Sequence, residues 1–241
     1  MNEAHACGFP STHWSVVLAA AGDDPRQARD SLERLCRTYW YPLYAFVRHR
    51  GYSPQDSEDL VQGFFARVLE KDVLARVNGE KGRFRSFLLA CLCNYLNNAW
   101  DGVQTQRRGG GCVHLTLDPS IAENRYVKEM VPHLTPEQLY DRAWAVGVLD
   151  GAMARLRGEF GAAGRLDLFE AVEGHLTGSK PCPRYSELAS RWGIHEPALR
   201  MMVTRLRRRY GELVRLEIAQ TLESKGDVEQ ELQQLLAIFA R

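Results

Sequence analysis

The stretch YSELASRWGIHEPALRMMVTRLRRRYGELVR, Tyr185 to Arg215, leaves the fewest structural choices. In its first part, Leu188, Ala189 and Trp192 share one apolar face of a short helix. Gly193 follows, the residue best suited to the left-handed conformation that ends a helix and turns the chain. Ile194 plugs the corner. Glu196 and Pro197 start a second helix, because proline is tolerated in a first turn and an acid suits the positive helix end. Leu199, Val203, Leu206 and Tyr210 then recur at helical spacing and face inward. Arg200, Thr204, Arg207 and Arg208 fall on the opposite side, with Arg205 and Arg209 on the flanks. Two helices around a tight glycine turn, the second rich in arginine, form a helix-turn-helix. The plain alternative is a helical hairpin with a solvated basic face. Against it, Arg205, Arg207, Arg208 and Arg209 have almost no acidic neighbours, whereas solvated faces mix signs. The stretch reads as DNA-binding.

That basic surface is local, because the formal net charge of the 241 residues is only +1. A non-specific nucleic-acid coat is thereby disfavoured, and one DNA-facing surface beside acidic ones is expected. The length suffices for one large or two small domains, and 45% hydrophobic and 25% charged residues are those of an ordinary globular protein. Cys7, Cys36, Cys91, Cys93, Cys112 and Cys182 lack zinc spacing, and Cys91 and Cys93 point to different faces of one helical run. They read as reduced thiols used as small hydrophobes, which places the chain in the cytoplasm. The apolar run WSVVLAAAG is too short to span a bilayer and lacks the basic lead-in of a secretory signal. The histidines, His5, His13, His49, His114, His133, His175 and His195, are scattered and none sits in a ligand motif. No nucleophile, metal cluster or acid/base pair emerges, so neither an enzyme nor a cofactor nor a metal is expected.

Taken in order, FPSTHWSVVLAAAG offers a capped short helix, and SLERLCRTYWYPLYAFVRHRG an amphipathic helix on Leu32, Leu35, Cys36, Tyr39, Leu43 and Phe46, kinked or divided at Pro42. SPQDSEDLVQGFFARVLEK begins with Ser53 as cap and Pro54 in the first turn. Its residues Leu60, Phe64, Phe65 and Val68 pack inward, and Asp59, Gln62 and Arg67 stay outside. GRFRSFLLACLCNYLNNAWDGVQTQRRGGG is apolar along Phe84, Phe87, Leu88, Cys91, Leu92, Tyr95 and Leu96. It then turns polar through Asn94, Asn97, Asn98 and Asp101 to Arg107 and Arg108. Aromatics, amides and arginines together suit single-stranded or melted DNA, where bases stack, amides read edges and arginines hold phosphates. Weak periodicity from Gly109 onward predicts a flexible linker. Thr135 and Pro136 then cap one long helix on Leu139, Trp144, Val148 and Leu156, followed by RLDLFEAVEGHL and the helix-turn-helix. DVEQELQQLLAIFAR is an amphipathic helix with Leu232, Leu235, Leu236 and Phe239 on one side, expected to dock on its own protein. The fold class is all-α. Two helical domains, 9–108 and 135–222, are expected around a 109–134 linker, with a helical extension over 223–241.

With both basic modules in view, the chain resembles bacterial RNA polymerase sigma factors of the extracytoplasmic-function type. SPQDSEDLVQGFFARVL is similar to their region-two signature, RSFLLACLCNYLNN to the helix that follows it, and YSELASRWGIHEPALRMMVTRLRRRY to their region-four helix-turn-helix. The resemblance spans Phe9 to Thr221. It implies a function in binding core polymerase and directing promoter recognition and melting. Asp59, Gln62 and Arg67 would dock on the clamp helices of the largest polymerase subunit. Asn94, Asn98, Asp101, Arg107 and Arg108 would lie at the melted −10 element, where a base is flipped from the stack. Arg200 and Thr204 would reach base edges of the −35 element, with Arg205, Arg207, Arg208 and Arg209 on phosphates. The implied partners are core RNA polymerase, through its clamp helices and flap, and promoter DNA. An anti-sigma factor is a candidate regulator, and no membrane is involved. Gly63 stands where the family carries an acid, Asn98 at a commonly acidic position, and His195, Glu196 and Pro197 in place of a small or polar helix start. A stand-alone helix-turn-helix regulator is the alternative function; it needs a dimer to span two half-sites.

Overall fold

A computed structural model describes residues 38–70, 84–102, 119–178, 183–222 and 228–240. All regular structure among these residues is helical. In chain order, α1 covers residues 38–49, α2 Pro54–Glu70, α3 Phe84–Gly102, α4 Pro119–Glu129 and α5 Pro136–Ala162. There follow α6 Leu166–Val172, α7 Gly174–Thr177, α8 Tyr185–Trp192, α9 Glu196–Thr221 and α10 Val228–Phe239. The described residues of Met1–Gly147 and Ala219–Arg241 belong to one compact unit and Val148–Ile218 form the other. Leu32, Leu35 and Cys36 lie outside the described residues, as do the capped short helix near Trp14 and the glycines 109–111.

Local chemistry accounts for the helix starts. Ser53 Oγ accepts a hydrogen bond from the Asp56 backbone N–H at 3.1 Å and donates to the Asp56 carboxylate at 2.6 Å, so Ser53 caps α2 with Pro54 in its first turn. At α5, Thr135 Oγ1 accepts from the Gln138 N–H while Gln138 Oε1 accepts from the Thr135 N–H, a reciprocal capping box. Helix α1 continues through the buried Pro42 without interruption.

In the first unit, Tyr39, Leu43, Phe46 and Val47 of α1 are buried with Val61, Phe64, Phe65 and Val68 of α2 and the i, i+4 row Phe84, Leu88, Leu92, Leu96 of α3. The α2 stripe is centred on Val61, which is fully enclosed, whereas Leu60 is only half-buried. Tyr140 and Trp144 of α5 are enclosed here too.

The 109–134 segment departs from a flexible linker, since its residues 119–129 form α4, docked on α1. Arg48 donates from Nε and Nη2 to the two oxygens of Glu123 at 2.9 and 2.8 Å, and the Tyr44 hydroxyl donates to the same carboxylate at 2.6 Å. The Tyr41 hydroxyl donates to Glu129 at 2.8 Å. Ala122 and Tyr126 of α4 are buried, while Ile121 and Val127 are exposed. The helix is held by charged hydrogen bonds to residues some eighty positions away, and such partners leave no trace in local periodicity.

The C-terminal helix α10 packs within the first unit, as the sequence suggests, with Leu235 inward as expected and Leu232 half-buried, but rotated so that Glu231 is enclosed too. Glu231 and Leu235 are buried, while Leu236 is exposed and Phe239 lies under the Arg142 guanidinium at 5.4 Å. The reason is Arg85. Only 6% exposed, it meets Glu231, 2% exposed, at 3.0 Å and lies 4.1 Å over the Trp144 ring. Asp141 stands 3.8 Å from the same guanidinium. A buried cation needs a carboxylate, and α10 turns to bring one.

In the second unit, Val148, Ala152 and Leu156 of α5 are buried, as are Leu168, Phe169 and Val172 of α6. Leu188 and Ala189 of α8 join them, with Leu199, Val203, Leu206, Leu213, Val214 and Ile218 of α9.

Candidate nucleic-acid interface

The corner between α8 and α9 is closed by backbone geometry. Gly193 has φ +61°, its N–H donates to the Ser190 carbonyl at 3.4 Å, and the Ile194 N–H reaches back to Ala189 at 3.0 Å. These paired bonds form the Schellman motif, which needs a left-handed residue after the last helical turn. With Leu199, Val203 and Leu206 turned inward, α9 presents Arg200, Thr204, Arg205, Arg207 and Arg208 to solvent. Tyr210 is half-buried and donates its hydroxyl to the Leu149 carbonyl at 3.2 Å.

Almost no acidic neighbours are expected beside these arginines; Arg205 and Arg207 have none among the described ion pairs, whereas Arg200, Arg208 and Arg209 each have a carboxylate partner. Arg200 donates from Nε and Nη2 to a single Glu196 oxygen at 2.9 and 2.6 Å. It also lies 4.5 Å over the Tyr185 ring, which stacks on His175 at 4.3 Å. Thr204 Oγ1 is turned back to donate to the Arg200 carbonyl at 3.0 Å. Arg207 donates to the His175 carbonyl at 2.8 Å, and Arg205 sits against the Met201 sulfur. Arg208, with its side chain 80% exposed, has Glu212 at 3.7 Å.

Arg209 is engaged most fully: it bonds both Glu159 oxygens, at 3.1 and 2.6 Å, and Glu212 at 3.1 Å. These bonds hold its guanidinium more firmly protonated than usual and draw the Glu159 carboxyl below its ordinary range. The carboxylates were invisible as neighbours because Glu159 is fifty residues away and Glu196 and Glu212 flank the arginine run by one helical turn. Spacing at i, i+4 was the available signal for the latter two.

In the first unit, Asn94 and Asn98 are exposed one turn apart on α3. Asn97 beside them lines a concavity of about 460 Å³ with Arg50, Gly51, Tyr52 and Leu96. Arg50 and Tyr52 went unread in the sequence, where Gly51 served only to end a helix; its φ of +95° makes the sharp turn that carries both side chains here. Asp101 stands in the last turn of α3 with its side chain outside the described residues, and Arg107 and Arg108 lie wholly outside them. On α2, Asp59 and Arg67 are exposed, Arg67 lying 5.9 Å from the Tyr95 ring. Gln62 is half-buried and donates to Glu58 at 3.0 Å.

Gly63 has a structural reason. A Cβ added there would meet the Tyr95 hydroxyl at 2.5 Å, so any side chain at 63 requires the phenol of α3 to shift. Cys91 and Cys93 are half-buried free thiols whose pKa values are pushed up by burial, opposite to what a reactive thiolate needs. Among the described residues, no group of three His, Cys, Asp or Glu side chains is placed to hold a metal, and no helix is long and apolar enough to cross a membrane. Comparison with protein-family models, with curated proteins and with solved structures gives no match.

Proposed function

We propose that this chain is a sigma factor of the extracytoplasmic-function type, which binds core RNA polymerase in the bacterial cytoplasm and directs promoter recognition and melting. The observation that carries the reading is the α8–α9 corner. A helix-turn-helix closed by Gly193 displays Arg200, Thr204, Arg205, Arg207 and Arg208 on one exposed helix face. In this reading Arg200 and Thr204 address base edges of the upstream element and Arg205, Arg207 and Arg208 its phosphates. Arg209 braces α9 against α5 through Glu159. On the other unit, Asn94 and Asn98 face the melted strand, and Arg50, Tyr52 and Asn97 add a cation, an aromatic and an amide beside them. The exposed side of α2, with Asp59, Gln62 and Arg67, meets the polymerase clamp.

The test is a pull-down of core RNA polymerase with the purified chain, followed by run-off transcription from genomic fragments. Stoichiometric capture and new start sites are expected. Retained DNA binding without capture of a cognate core enzyme would overturn the reading in favour of a stand-alone regulator.

A further inference from the structure

The exposed face of α9 carries its own anions. Glu196 occupies Nε and Nη2 of Arg200, the pair of donors that a guanidinium presents as a fork to an acceptor. Glu212 stands between Arg208, at 3.7 Å, and Arg209, at 3.1 Å. Arg205 and Arg207 are the residues of this face with no carboxylate among the described ion pairs. These acids are not needed to neutralise buried charge, because the pairs lie on the surface, where such pairs contribute little to stability. A carboxylate and a phosphodiester offer a guanidinium the same thing, an oxyanion that accepts in-plane N–H donors.

We propose that Glu196 and Glu212 are intramolecular competitors of DNA phosphate that hold Arg200 and Arg208 in the free protein and set its affinity for DNA low. The proposal rests on reading α9 as a DNA-contacting helix. When a duplex approaches, an acceptor that takes the Nε–Nη2 fork of Arg200 must displace Glu196, an anion at Arg208 meets Glu212 beside it, and either carboxylate is left next to a polyanion. Each acid therefore subtracts roughly one effective phosphate contact from a face whose other cations, Arg205 and Arg207, meet neutral partners rather than carboxylates. Binding is then productive only where further contacts make up the deficit. Arg200 keeps its place without Glu196, since it also lies over the Tyr185 ring.

The experiment is fluorescence anisotropy of the full chain with a labelled random-sequence DNA duplex across a series of salt concentrations. Wild type is compared with Glu196→Gln, Glu212→Gln and the double variant. Glu170→Gln serves as control: it removes the same single charge from an exposed ion pair with Arg157, away from the α9 arginines. Each substitution at Glu196 or Glu212 is expected to steepen the slope of log K against log salt by about 0.9, the increment for one added phosphate contact. Over a fourfold salt range this corresponds to tighter binding by about three- to fourfold per acid at the low-salt end. Glu170→Gln should match wild type.

Unchanged affinity and slope in both α9 variants, with wild type binding DNA, would overturn the proposal and leave DNA recognition standing. An equal gain in Glu170→Gln would also overturn it, by tracing the effect to total charge. Absence of binding in wild type and every variant would overturn the DNA-binding reading itself. Melting curves are recorded for each protein, and because Glu196 and Glu212 sit four turns apart, either variant tests the proposal if the other does not fold.

Discussion

Single side chains decide two matters that the residue types leave open. At Gly63 the nearest neighbour of a would-be Cβ is the Tyr95 hydroxyl, at 2.5 Å, with the ring carbon that bears it at 3.6 Å. Alanine gains helix propensity but must push the phenol aside, and overpacking of a closed helix contact outweighs that gain. Gly63→Ala is expected to destabilise the protein by about 1–2 kcal/mol in urea titration. Adding Tyr95→Phe, which removes only the clashing oxygen, should recover most of the loss. A glycine that looks like a missing acid on a docking face thus leaves space for the Tyr95 hydroxyl of α3. Arg209 teaches the same lesson in reverse. It stands within a basic run, yet it bonds both oxygens of Glu159, fifty residues away.

At the level of elements, the corner and the docked helix α4 behave differently. The corner is local: Gly193 holds φ +61°, where an L side chain is strained. Gly193→Ala should cost about 1–2 kcal/mol and lower the melting temperature of the chain, with weaker DNA binding if α9 is the recognition helix. Helix α4 depends on distant partners. The two hydrogen bonds from Arg48, joined by one from Tyr44, draw the Glu123 carboxyl below its ordinary range. A folded-state pKa lower than the unfolded one means that Glu123 contributes stability at neutral pH, lost as pH falls through the folded value. Glu123→Gln should therefore cost about 1.5–3 kcal/mol near neutrality. Its acid-side decline in stability, followed by urea titration at stepped pH, should be shallower than that of wild type.

For the whole molecule, the division at 109–134 and the division in space do not coincide. Helix α5 supplies Tyr140 and Trp144 to one unit and Ala152 and Leu156 to the other, and the chain's last helix returns to the unit that contains α1. That return is secured by Arg85 and Glu231. Glu231→Ala leaves the buried guanidinium with Asp141, at 3.8 Å, as its remaining carboxylate among the described ion pairs. It should cost about 3 kcal/mol, read by urea unfolding followed by circular dichroism of the helices. Replacing both partners, Arg85→Met with Glu231→Leu, should be close to neutral, since exchanging a buried pair for apolar side chains leaves no uncompensated charge in the core. What the amino-acid order determined by itself is what rests on neighbours within a few residues: the all-helical class, the caps at Ser53 and Thr135, the glycine turn at Gly193 and the inward row Leu199, Val203, Leu206. Helical periodicity and capping are short-range, so they are written in adjacent letters. Only the tertiary structure decided that residues 119–129 form a docked helix, that α10 turns Glu231 inward, that Gly63 lies against the Tyr95 hydroxyl and that Arg209 bonds Glu159 of α5. Each of these depends on which charge or ring arrives from elsewhere, and most of those partners lie too far along the chain to shape a local pattern.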